Sequence, residues 1–163
     1  MSQITARSFL GVLDPATGGS PRANVTLALR LLGFVVLASF AVSVLRSLAI
    51  MSWGAALAAG AIFGLIVAAV LAAAALFWLT YARRMWLAGR PEGASHTMII
   101  AIVAIILGAI DLLGRGGFGM IYGLGPGYAL LHLLGLLALL LAVAQVALGV
   151  WLLLERNKAT PGA

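Results

Sequence analysis

The 163-residue chain contains no cysteine. The protein therefore lacks the thiols needed for disulfide exchange, thiolate metal binding or palmitoylation. A membrane thiol oxidoreductase is excluded for the same reason. Two histidines and four acidic residues are present, too few to build a metal site readily. We accordingly predict that the protein holds neither a metal nor a cofactor.

Charge is also scarce, since charged residues make up 9% of the chain and hydrophobic residues 64%. A soluble domain needs far more charge to cover its surface. The apolar residues form four long runs, at 27–48, 53–81, 97–113 and 127–154. A helix rises about 1.5 Å per residue, so each run can bridge a hydrocarbon core about 30 Å thick. We predict an all-α integral membrane protein whose four transmembrane helices form an up-down-up-down bundle.

The rest of the chain leaves no room for a soluble domain. Residues 1–26 are polar and contain Pro15 and Pro21, which is typical of a flexible tail. Residues 27–154 form the predicted transmembrane domain, and residues 155–163 form a short C-terminal tail. Any binding or catalytic work is therefore expected between the helices or at their ends.

Positive charge dominates, with a net charge of +6, and its distribution argues for a membrane rather than nucleic acid. Of the ten basic residues, only Arg46 and Arg115 belong to the first and third joints. The other eight are Arg7, Arg22, Arg30, Arg83, Arg84, Arg90, Arg156 and Lys158. This division follows the positive-inside rule and predicts that both termini are cytoplasmic. The bias toward Ala, Leu, Gly and Arg suits a bacterial inner membrane.

Polar residues gather near the predicted outer end. Asp111 is the only acid within a span, and a carboxylate at that depth is costly unless it is paired. Arg115 follows at i+4 on the same helix face, Arg46 approaches the same level, and His132 lies near the start of the fourth span. The cluster is interpreted first as an ion pair of Asp111 with either Arg115 or Arg46 that joins helix ends. A pocket for an ion, a proton or a small solute is the second reading, and a contact surface for a partner subunit is the third.

Two further groups of residues point to contacts. Gly60 and Gly64 form a small-xxx-small pair, which allows close approach of helix backbones, either within the bundle or with another subunit. Arg83, Arg84 and Arg90 lie between spans two and three, where each charge near an anionic leaflet is worth roughly 1 kcal/mol. We predict that these arginines contact lipid headgroups.

Catalytic arrangements are missing. No Ser/His/Asp set, paired aspartates or His-Glu cluster can be assembled at one depth. The predicted depths of His96 and His132 differ by about 20 Å, so one haem iron cannot take both. The match of residues 114–119 to G-x-G-x-x-G follows a membrane span and not a strand, so it does not indicate a dinucleotide site. We predict that the protein is not an enzyme.

These observations favour an accessory or scaffolding subunit of a larger bacterial membrane complex, of a respiratory, photosynthetic or transport kind. Its partners are expected to be anionic lipids and other membrane subunits, with no nucleic acid. The alternative is a small transporter or channel component whose outward-facing polar site surrounds Asp111.

Overall fold

The computed structural model describes residues 20–51, 55–118 and 129–159. In these residues the chain forms four α-helices and no strand. The helices are α1 (Pro21–Met51), α2 (Ala55–Leu87), α3 (Pro91–Phe118) and α4 (Ala129–Ala159). All four are long and apolar enough to cross a membrane. The prediction of an all-helical chain with four such helices is confirmed.

The helices extend beyond the apolar runs of the sequence. α1 begins at Pro21, where a fixed φ suits the first helical position. Ser20 caps it, because the Ala23 amide donates to both the Ser20 carbonyl (2.7 Å) and its hydroxyl (3.4 Å). Residues 21–26, assigned to the tail from the sequence, are therefore helical. The remainder of that tail, residues 1–19, lies outside the described residues.

Each helix packs against two others in a closed ring. The contacting pairs are α1 with α2, α2 with α3, α3 with α4, and α4 with α1. The main core lies toward one end, where the first half of α1 meets the second half of α2, the first half of α3 and the end of α4. Its buried residues include Val25, Leu29, Leu32, Leu79, Ala82, Trp86, Ile100, Ala101 and Leu152. A smaller cluster of Val42, Leu134 and Ala138 joins α1 to α4 toward the other end.

The backbones of α3 and α4 approach each other closely at two glycines. A Cβ atom on Gly108 would lie 2.7 Å from Cγ2 of Val146 and 3.0 Å from a carbonyl oxygen of α4. A Cβ atom on Gly149 would lie 2.8 Å from Cγ1 of Ile105 and 2.9 Å from a carbonyl oxygen of α3. Gln145 adds a hydrogen bond from Nε2 to a carbonyl oxygen of α3 at 3.3 Å. Small residues make this approach possible, as is common between membrane helices.

The glycine pair of α2 does not pack within the bundle. Gly60 and Gly64 are exposed, and a Cβ atom on either would meet no atom of the described residues within 4 Å. Only 6% of the membrane-crossing window of α2 is buried, against 22–28% in the other helices. α2 packs into the bundle through its C-terminal part, where Leu79, Ala82 and Trp86 are buried. Among the described residues, Gly60 and Gly64 thus have no packing neighbour inside the bundle, and their role as a helix-packing pair stays a prediction.

Candidate functional site

Several polar contacts between helices lie at one end of the bundle, which we call the Trp86 end. It comprises the first turns of α1 and α3 and the last turns of α2 and α4. The indole of the buried Trp86 donates from Nε1 to the carbonyl oxygen of Arg22 at 3.2 Å, which ties α2 to α1. Arg156 donates from Nε to the carbonyl oxygen of Ala94 at 3.3 Å, which ties α4 to α3. Both bonds reach carbonyl oxygens near the starts of two helices.

The turn between α2 and α3 is fixed by its backbone. The amide of Gly89 donates to the carbonyl of Trp86 (3.1 Å) and the amide of Arg90 to that of Met85 (3.1 Å), which is the pattern of a Schellman motif. Gly89 has φ of 71°, a left-handed conformation that a side chain disfavours. Pro91 then begins α3 directly. The turn holds Arg90 at a defined place between the two helices.

A cavity of about 300 Å³ opens at the Trp86 end. All four helices and the α2–α3 turn contribute to its walls, which include Arg22, Trp86, Gly89, Arg90 and Ala159. The guanidinium of Arg22 lies over the turn, since a Cβ atom on Gly89 would be 2.9 Å from its Nη2 atom. The cavity therefore combines two exposed arginines with one buried indole.

A buried carboxylate links α1 to α4 beside this cavity. Glu155 is only 6% exposed. One of its oxygens accepts a hydrogen bond from the side-chain amide of Asn24 (2.9 Å), and the other pairs with the ammonium of Lys158 (2.7 Å). Both oxygens thus have a partner, as a buried carboxylate requires.

The bond between Asn24 and Glu155 should be measurable as a coupling. In a double-mutant cycle of Asn24→Ala and Glu155→Ala, we expect a coupling energy of about 1–2 kcal/mol, because the bond is charge-assisted and Glu155 is buried. The measurement is reversible unfolding in mixed micelles. A cycle of Asn24→Ala with Glu92→Ala serves as control, since Glu92 is exposed. Equal coupling in both cycles would contradict the assigned contact.

His96 joins α2 to α3 just inside the Trp86 end. Its Nδ1 accepts a hydrogen bond from Nε1 of Trp78 at 3.3 Å, and its ring meets the ring of Tyr81 edge to face, with centroids 5.3 Å apart. Such a pair is favourable beyond its buried area. With Nδ1 used as an acceptor, a neutral His96 carries its proton on Nε2. The residue thus acts as a packed link between two helices.

The residues of the predicted outer cluster belong to the opposite end of the bundle. Asp111 is half-buried on α3, while Arg46 on α1 and His132 on α4 are exposed. Val42, one turn before Arg46, packs against Leu134 of α4. This contact brings the C-terminal part of α1 next to the N-terminal part of α4. The side chain of Arg115 lies outside the described residues, as does residue range 119–128. Within the described part, no group of three or more acidic, histidine or cysteine residues could hold a metal.

The predicted headgroup arginines have different environments. Arg84 and Arg90 are exposed, whereas Arg83 is half-buried. The Nε atom of Arg83 is buried and has no hydrogen-bond partner among the residues that the structure describes. Of the three, Arg90 lines the cavity. The prediction that they contact lipid headgroups stays a prediction.

Sequence reasoning did not identify the Asn24–Glu155 link or the bond from Trp86 to Arg22. The spacing of Glu155 and Lys158 at i, i+3 was the available signal for an ion pair on one helix face. Because both residues follow the apolar run, the sequence places them in the short C-terminal tail. The contacts to α1 come from residues more than sixty positions away, and no local pattern reports them.

The fold is compatible with the class of multi-pass membrane proteins, with four candidate spans. Comparison with known protein families, with characterised proteins and with solved structures gives no match.

Proposed function

We propose that the protein is a non-catalytic accessory or scaffolding subunit of a larger membrane complex in the bacterial inner membrane. The complex would be of a respiratory, photosynthetic or transport kind. The observation that carries the proposal is the outward position of Gly60 and Gly64 on α2, the helix with the smallest buried share. Such a surface suits contact with a helix of another subunit.

The α3–α4 interface supports this use of the surface. There, Gly108 and Gly149 allow two backbones to approach until a Cβ atom has no room. Gly60 and Gly64 offer the same backbone access on the outside of the bundle, next to the exposed Phe63 and Val67. In a lipid environment, helix association depends on such close packing and not on hydrophobicity, because lipid tails are equally apolar. A partner helix would therefore gain its contact energy at this face.

We further propose an up-down-up-down topology with both termini in the cytoplasm. Support for the topology comes from the contacts of Trp86 with Arg22, of Gly93 with Trp86 and of Glu155 with Asn24. Support for the orientation comes from the basic residues, eight of which flank the ends that these contacts bring together. Arg83, Arg84 and Arg90 would then meet anionic headgroups of the cytoplasmic leaflet.

The proposal is tested by gentle extraction from the native membrane, followed by native gel electrophoresis and mass spectrometry. The expected result is co-migration with other membrane proteins in fixed stoichiometry. Gly60→Leu with Gly64→Leu is expected to abolish co-migration, because two leucines would hold a partner helix away. Gly135→Leu is the matched control, since Gly135 on α4 also has no atom within 4 Å of a Cβ position among the described residues.

Migration as a monomer or homo-oligomer would overturn the subunit proposal. The transporter alternative would then gain support from the half-buried Asp111, which lies about one turn beyond Gly108 on α3. That alternative predicts solute or ion flux in vesicles containing the purified chain and its loss in Asp111→Asn. If the Asp111 carboxylate only joins helix ends, Asp111→Asn should leave any flux unchanged.

A further inference from the structure

We propose that the cavity at the Trp86 end binds a phosphate group. Its walls bring together Arg22 from α1 and Arg90 from the α2–α3 turn, two guanidinium groups that favour phosphate oxygens. The volume of about 300 Å³ lies at the small end of ligand pockets. It suits a phosphate or a lipid headgroup, and the tails of a lipid would remain outside.

The protein holds the backbones of the two arginines in place before any ligand arrives. The backbone carbonyl of Arg22 accepts the hydrogen bond from the indole of Trp86, and the guanidinium of Arg22 lies over Gly89. Arg90 follows Gly89 in the Schellman motif and precedes Pro91 at the start of α3. A site that is fixed in advance loses less conformational entropy on binding.

The surrounding charges leave the arginines available. Glu155, the nearest acid of α4, has its oxygens bonded to Asn24 and Lys158. Arg156 reaches the carbonyl of Ala94, which lines the cavity, and adds a third positive charge close by. α3 also begins at this end, and the positive end of its helix dipole favours an anion there. Glu92 on that turn is exposed and is not part of the cavity wall.

The helix lengths place this cavity at headgroup level, a step that rests on the proposed membrane orientation. α1 has 31 residues, and at about 1.5 Å per residue it is about 46 Å long, which exceeds a hydrocarbon core of about 30 Å. Arg22, in its first turn, precedes the apolar run that begins at residue 27, so the proposed orientation places it beyond the acyl chains. The phosphate group can come from an anionic lipid of the leaflet or from a soluble phosphate.

The test is native mass spectrometry of the purified full chain in detergent, titrated separately with phosphatidylglycerol, phosphatidylcholine and inorganic phosphate. We expect preferential retention of phosphatidylglycerol. Arg22→Gln and Arg90→Gln should each weaken it about tenfold, because each removes a charge-assisted hydrogen bond. Arg30→Gln is the matched control, because Arg30 is an exposed arginine of α1 that does not line the cavity, and it should change retention less than about twofold.

The arms of this test separate the two sources of phosphate. Retention of inorganic phosphate with the same dependence on Arg22 and Arg90 supports the site and identifies a soluble ligand. Retention of phosphatidylglycerol alone supports the site and identifies a lipid. If Arg30→Gln weakens retention as much as the other variants, or if nothing is retained, the proposal is overturned. The binding test uses the purified chain without partners. A failure to bind phosphate would therefore say nothing against co-migration with other membrane proteins.

The variants are suited to this purpose because they keep the fold. The side chains of Arg22 and Arg90 are exposed, and the bond from Trp86 goes to a backbone oxygen that remains after substitution. Thermal unfolding of each variant should therefore match that of the unsubstituted protein. Loss of phosphate binding together with unchanged thermal unfolding assigns the effect to the site.

Discussion

Replacing both Gly108 and Gly149 by leucine is expected to separate α3 from α4 and to lower the free energy of unfolding by more than about 3 kcal/mol. At each glycine, the first added carbon would lie within 3.0 Å of a side chain and of a carbonyl oxygen on the facing helix. A side chain can rotate away, but a carbonyl oxygen moves only with its helix. The two sites share one interface, so their effects need not add. Reversible unfolding by dodecyl sulfate in mixed micelles, followed by circular dichroism, measures the change.

The matched control substitutes the same residue types on a different helix. Gly60→Leu with Gly64→Leu places two leucines where a Cβ atom meets no described atom within 4 Å. Leucine favours helix over glycine by up to about 1 kcal/mol at each position, so the purified control should unfold no more easily than the original protein. An equal loss of stability in the two pairs would contradict the assignment of α3–α4 as the close interface.

The two leucine pairs also separate internal packing from partner binding. The Gly108 and Gly149 pair is expected to destabilise the isolated chain. The Gly60 and Gly64 pair is expected to leave the isolated chain intact and to remove its partner in the native membrane. Both outcomes follow from one physical effect, the exclusion of a neighbouring backbone by a side chain. They differ only in whether the neighbour belongs to this chain.

The four apolar helices could be predicted from the sequence because membrane crossing depends on length and composition, which a sequence states directly. The helix ends could not be predicted from hydrophobicity. Pro21 and Pro91 begin helices outside the apolar runs, where their fixed φ and missing amide fit the first turn. Start signals for a helix therefore carried information that the apolar runs did not.

The small-residue pattern identified a kind of contact but not its place. The spacing of Gly60 and Gly64 is suited to helix packing, yet the structure uses Gly108 and Gly149 for the contact within the chain. A small-residue pattern indicates that another helix can approach that face closely. Which helix does so depends on how the four helices close into a ring. The phosphate cavity escaped prediction for a similar reason, since Arg22 and Arg90 meet only through that closure.

Gly93→Ala is expected to open the α2–α3 hairpin and to lower the free energy of unfolding by about 2 kcal/mol, even after the gain in helix propensity. Gly93 is buried in the first turn of α3. Its added Cβ would lie 2.6 Å from the backbone nitrogen of Trp86 and 2.8 Å from the carbonyl carbon of Met85. Those atoms belong to the Schellman motif around Gly89, so they cannot move unless the turn unwinds.

The same substitution at Gly135 should have the opposite sign. A Cβ on Gly135 meets no described atom within 4 Å, so Gly135→Ala should raise the free energy of unfolding by up to about 1 kcal/mol. Hydrogen exchange adds a local measurement, since the amides of Gly89 and Arg90 are bonded only while the turn is closed. In Gly93→Ala these amides should exchange faster, whereas those in the middle of α4 should not. Unchanged exchange at the turn would mean that α2 and α3 accommodate the added methyl group without unwinding the turn, which would contradict the expected opening of the hairpin.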